Sequence, residues 1–127
     1  MAARQQYACE VSVETEYLAD QSSVEAGQYV YAYTVTIRNT GSVPVQLISR
    51  HWIITDGLQR VREVKGLGVV GEQPLLAPDE QYRYTSSVVF TTASGEMRGS
   101  YHMVAADATW FEVAVSTFWL HQAAGLH

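Results

Sequence analysis

From Tyr7 the chain alternates with a period of two. Tyr7, Cys9, Val11, Val13, Thr15 and Tyr17 share one parity, and Glu10, Ser12, Glu14 and Glu16 the other. A strand turns successive side chains to opposite faces, so this pattern predicts a half-buried β-strand; a helix would scatter the polar residues around its circumference. "LADQSSVEAGQ" breaks the alternation and reads as a loop. "YVYAYTVTIRN" restores it, with Tyr29, Tyr31, Tyr33, Val35 and Ile37 on one face. Aromatic and β-branched residues of this kind suit a pleated surface. "RNTGSVP" predicts a turn in which Asn39 and Gly41 take left-handed conformations.

"VQLISRHWIIT" is a third strand whose apolar parity shifts, which predicts a bulge near Ser49–Arg50. Asp56-Gly57 signals a hairpin into "LQRVREVK". After a glycine-rich stretch, Pro78 fits the second position of a tight turn, and Tyr82 and Tyr84 open the next strand. "MRGSYHMVAA" and "TWFEVAVSTFWL" complete the set. About seven strands separated by short turns predict an all-β fold, an antiparallel β-sandwich of the immunoglobulin or fibronectin-III kind. A closed barrel has the same periodicity. The length of 127 residues suits a single domain over 1–127, with 1–6 and 121–127 as frayed tails.

Charge narrows the partners. Thirteen acidic against eight basic side chains leave a net charge of −5, with no Lys/Arg cluster. That disfavours nucleic-acid backbone and anionic membrane surfaces, both of which need a basic face. There is no apolar run long enough to span a bilayer and no signal-peptide h-region, so the expected location is cytoplasmic. Cys9 is the only cysteine and excludes an internal disulfide.

The most conspicuous motif is "KGLGVVGEQP", where Gly66, Gly68 and Gly71 have the G-x-G-x-x-G spacing of dinucleotide-binding turns. That chemistry depends on a helix N-terminus behind the glycines. Here Pro74 and Pro78 follow and forbid an ordinary helix. No Walker Lys-Ser or Lys-Thr pair follows either. Two readings remain. The glycines solve a backbone problem at a strand edge, or their amides curl into an anion nest to which Arg62 and Lys65 add charge.

His51, His102, His121 and His127 lack the close spacing of metal ligands, so a site would require His51 and His102 to converge across strands with Asp107 or Glu112. Cys9 lies in a strand rather than a strained turn, and no serine occupies a nucleophile elbow. Glu14 and Glu16 read as a charged edge. Eight tyrosines and three tryptophans supply recognition surface, for a protein partner or for a sheet-to-sheet homodimer.

Three blocks taken in order, "YVYAYTVTIRNTGSVPVQLISRHWIITDG", "VKGLGVVGEQPLLAPDEQYRYTS" and "GEMRGSYHMV", resemble the successive hallmarks of the ApaG family over Val11 to Leu120. One departure is Asp79, where the family commonly has glycine after the turn proline. The resemblance implies a fibronectin-III-like sandwich and a cytoplasmic bacterial protein tied to cobalt resistance and magnesium efflux. Related domains in eukaryotic F-box proteins and in a DNA-polymerase-interacting protein look like interaction modules. The expected role is a non-enzymatic binding or adaptor protein acting through a protein partner, with no catalytic residue, resident metal or cofactor. The alternative that the resemblance carries is a phosphate, pyrophosphate or nucleotide ligand. Its contacts would fall on Gly66, Gly68 and Gly71, with the amides of Leu67, Val69 and Val70 between them.

Overall fold

A computed structural model describes residues 4–122. The alternating segments form β1 (Cys9–Tyr17), β2 (Tyr29–Asn39), β3 (Val45–Asp56), β4 (Val61–Leu67), β5 (Leu75–Leu76), β6 (Gln81–Phe90), β7 (Gly95–Ala105) and β8 (Trp110–Leu120). A short 3-10 turn, Ala19–Gln21, interrupts the first loop. One sheet has the order β1-β2-β6 and the other β4-β3-β7-β8, with β5 also pairing with β3. All these pairings are antiparallel. The expected sandwich is present, with β5 as the strand that the sequence pattern does not reveal. Two residues are too few to show a period.

The core lies between the sheets. Tyr31, Val35 and Ile37 of β2 face Leu47 and Trp52 of β3 and Met97, Tyr101 and Met103 of β7, all buried. The bulge expected near Ser49–Arg50 sits one residue earlier, where the β3–β7 register skips Ile48. Its consequence is directional. Before it, Val45 and Leu47 point inward; after it, Trp52 and Ile54 do, and Arg50 shares their parity. The extra residue therefore turns an arginine toward the space between the sheets.

One local expectation is corrected, and two other segments gain detail. Neither Asn39 nor Gly41 has positive φ. Asn39 is instead a fully buried junction: Nδ2 donates to the carbonyls of Val43 (2.8 Å) and Leu76 (3.0 Å), and Oδ1 accepts from the Gly41 amide (2.9 Å). The Asp56-Gly57 hairpin exists, but its left-handed residue is Gln59, with φ 65°. Asp56 closes that loop by accepting from the Leu58 and Arg60 amides on one carboxylate oxygen. Residues 4–6, expected to fray, are tied to the turn after β2. Arg4 donates to the Gly41 carbonyl, and the carbonyls of Gln5 and Gln6 accept from Ser42. Of the other tail, residues 123–127 lie outside those described.

Pro78 occupies the second position of the turn expected for it. The Glu80 amide donates to the Ala77 carbonyl at 2.9 Å, and Asp79 follows the proline with φ 72°. A type II turn requires a left-handed residue there, which is why glycine suits the position. Asp79 offsets the strain with two ion pairs, to Arg4 (2.9 Å) and Arg38 (3.2 Å).

Candidate functional site

The glycine stretch ends β4 and forms a tight turn, after which the chain returns to pair with β3 again as β5. Val69 and Glu72 exchange two backbone hydrogen bonds of 2.8 Å, and Val70 and Gly71 between them both have positive φ (43° and 82°). Two left-handed central residues are the requirement of a type I′ hairpin turn. Gly71 meets it without cost; Val70, β-branched and exposed, does not. Gly68 also has positive φ, and a Cβ there would collide with the Glu72 carbonyl oxygen. Its amide donates to the Ile48 carbonyl, opposite the bulge, at 2.7 Å. The amides of Gly68, Val69 and Glu72 are thus all committed to backbone acceptors, whereas those of Val70 and Gly71 have no acceptor among the described residues.

Gly66 has a different task. It stands across the ladder from Arg50, and a Cβ would lie 2.9 Å from Arg50 Nη1. In the space so left, Nη1 donates to the carbonyls of Leu67 (3.1 Å) and Gly68 (2.9 Å). The glycines therefore seat an inward-facing guanidinium. Beyond it, the hydroxyls of Tyr84 and Tyr101 meet at 2.5 Å in the core. Burial pushes both phenols well above the ordinary tyrosine range, and the positive charge of Arg50 opposes the shift only in part.

Arg50 opens onto a groove of about 280 Å³ at the side of the sandwich, between edge strands β4 and β6. Trp52, Arg62, Val64, Ser86 and Ser87 also line it. Arg62 bridges the sheets by donating to the Val89 carbonyl on β6 at 2.9 Å. Lys65, expected to add charge beside it, has the opposite parity on β4 and points away from the groove. Arg62 was visible in the sequence as a nearby charge. Arg50 and Trp52 were not, because only the bulge and the β3–β4 register bring them there.

The outer edge is apolar. On β4, Val61, Val64 and Leu67 are exposed, as are Val70 on the hairpin and Leu75 on β5; Leu67 reaches 76%. Trp110 and Trp119, on the far edge strand β8, are exposed too.

The histidines do not converge as envisaged. His51 pairs with Glu63 at 2.7 Å, and His102 with Glu112, directly across β7–β8, at 3.0 Å. Asp107 accepts from the Tyr7 hydroxyl instead of joining either. Among the described residues no three His, Cys, Asp or Glu side chains are grouped to hold a metal ion. Glu14 is bound by Arg83 at 3.2 Å. Cys9 is half-buried, and burial pushes its thiol up to about 11, so it is protonated at neutral pH.

Fold and site together define an antiparallel β-sandwich with a basic groove at one open side. The model of the ApaG domain family matches residues 19–105. The chain is 51% identical to the ApaG protein of Methylobacillus flagellatus and 54% identical to that of Nitrosomonas europaea, in each case over 127 residues and the whole of both chains. A crystal structure of the ApaA protein from Bordetella pertussis superposes with a TM-score of 0.94 at 52% identity, covering 96% of this chain and 99% of that one. The chain belongs to the ApaG family.

Proposed function

We propose that the protein is a non-catalytic binding module that acts in the cytoplasm through a protein partner, and that its family's association with cobalt resistance and magnesium efflux runs through that partner. The observation that carries this reading is the outer edge of β4. The strand is paired on one side only, and Val61, Val64 and Leu67 stand exposed along it. An unpaired edge offers its amides and carbonyls to an incoming strand, and flanking side chains select which strand docks. Arg62, Glu63 and Lys65, interleaved with the apolar residues, discourage indiscriminate pairing.

The test is a photo-crosslinking residue at Leu67, and separately at exposed Val24 as a control, in cells challenged with cobalt. A discrete adduct from Leu67 alone is expected. Leu67→Glu should reduce both a Val64-linked adduct and cobalt tolerance at an unchanged melting temperature. An adduct that survives Leu67→Glu, or none at all, counts against the reading. An adduct with a second copy of the chain would replace the partner by a homodimer.

A second reading, a phosphate, pyrophosphate or nucleotide ligand on Gly66–Gly71, is supported by the uncommitted amides of Val70 and Gly71 at the hairpin tip. Pyrophosphate titration followed at those two amides tests it.

A further inference from the structure

We infer that the groove between β4 and β6 is a binding site for a phosphate or small phosphomonoester, held by side chains rather than by the glycine-loop amides. This inference does not rest on a partner at the β4 edge, although Val64 borders both the edge and the groove. Three observations converge on it.

The first is an orphaned donor. Trp52 is 3% exposed, and its Nε1 is the one buried side-chain nitrogen or oxygen without a hydrogen-bond partner among the described residues. Buried polar groups are nearly always satisfied, so an unpaired N–H calls for an acceptor. The ring's orientation says where. A Cβ on Gly99 of β7 would lie 3.0 Å from Trp52 Cε3. Cε3 and Nε1 sit on opposite edges of the indole, so the N–H edge turns away from Gly99, and Trp52 lines the groove between β4 and β6.

The second is charge without a counterpart. Acidic residues outnumber basic ones thirteen to eight, yet neither Arg50 nor Arg62 has a carboxylate within ion-pair distance among the described residues. Each is steadied through one nitrogen by backbone carbonyls, Arg50 by Leu67 and Gly68 and Arg62 by Val89. The remaining guanidinium donors are free for a ligand. Two fixed guanidiniums and an indole N–H suit a tetrahedral dianion, and guanidinium forks match phosphate oxygens in pairs.

The third is size. At about 280 Å³ the groove is at the lower end of ligand clefts. It admits a phosphate with a small organic group and is too small for a dinucleotide. Ser86, on the inner parity of β6 between Tyr84 and Val88, adds a hydroxyl at the wall.

The experiment is a titration of the ¹⁵N-labelled protein with inorganic phosphate at constant ionic strength, read at the tryptophan indole resonances. Trp110 and Trp119, exposed on β8, are internal references. The Trp52 resonance should shift saturably in the millimolar range while the references stay still. Arg62→Ala should weaken binding by about tenfold, the loss of one charge-assisted contact, in a protein whose amide spectrum shows that it remains folded despite losing the bond to Val89. A Trp52 resonance that does not move overturns the inference, as does equal affinity in Arg62→Ala. Movement confined to the Val70 and Gly71 amides would place the anion on the hairpin instead. An equal response to acetate would overturn the assignment to phosphate.

Discussion

Gly66 and Arg50 face each other across the β3–β4 ladder, and the guanidinium occupies the space that a Cβ on Gly66 would fill. The same guanidinium is bonded to the next two carbonyls, Leu67 and Gly68, so strand end and arginine hold each other. Gly66→Ala should push the flexible end of Arg50 aside and weaken its two bonds to these carbonyls, at a cost of about 1 kcal/mol. Gly68→Ala combines positive φ with a collision on the Glu72 carbonyl and should cost about 2 kcal/mol or more. Chemical denaturation of both variants checks the order. A Gly68→Ala protein as stable as the parent would contradict the hairpin geometry.

Asn39 joins three backbone segments from a fully buried position. Asn39→Ala leaves the buried Leu76 carbonyl and the part-buried Val43 carbonyl without this donor, while the Gly41 amide keeps the Ala8 carbonyl, and should destabilise by about 1–3 kcal/mol, from the cost of unpaired buried groups. Urea midpoints measure it, and hydrogen exchange at Gly41 should accelerate in step.

Ala108 and Asp79 both have positive φ without being glycine, at 70° and 72°. Ala108→Gly removes left-handed strain of about 1–2 kcal/mol against an unfolded-state entropy cost of about 0.4–1 kcal/mol, with the backbone bonds of the hairpin unchanged, and should stabilise by about 0.5–1 kcal/mol. Asp79→Gly relieves the same strain but loses two exposed ion pairs, each worth about 0–1 kcal/mol, so its net effect should be near zero. Melting temperatures of the two variants, compared at low and high salt, separate the contributions. Salt should narrow the deficit of Asp79→Gly relative to Ala108→Gly.

Cys9 carries a pH signature. Its thiol titrates at about 11 in the folded chain, against an ordinary 9.0, because burial disfavours the thiolate. The unfolded chain therefore loses this proton first as pH rises. The contribution to stability is complete below about pH 9 and is lost on rising through about 11. The stability difference between the parent and Cys9→Ala should shrink over that window. Alkylation of Cys9 at pH 8 should be slow until denaturant is added.

Much of this fold was legible in the chain because the side-chain period of a strand is local. Tyr29 to Ile37 alternate whatever packs against them, and β2 forms where the pattern places it. The Pro78 turn was legible for the same reason, since proline sets its own backbone. Left-handed residues were harder to place: Gln59, Val70 and Ala108 take conformations imposed by strands paired on either side, while Asn39, a favourable residue for such a turn, spends its side chain on the core instead. The glycine motif was conspicuous but ambiguous, because spacing along one strand does not say which residue of another strand lies opposite.

The sequence by itself determined an all-β fold, most of its strands and a resemblance to its family, because alternation, turn chemistry and motif blocks are properties of neighbouring residues. The tertiary structure alone decided the groove. One skipped residue in β3 turns Arg50 inward, the β3–β4 register sets Gly66 against it, and the same register places Trp52 beside Arg62 and Val64. Each depends on contacts between residues far apart in the chain, which no local pattern encodes.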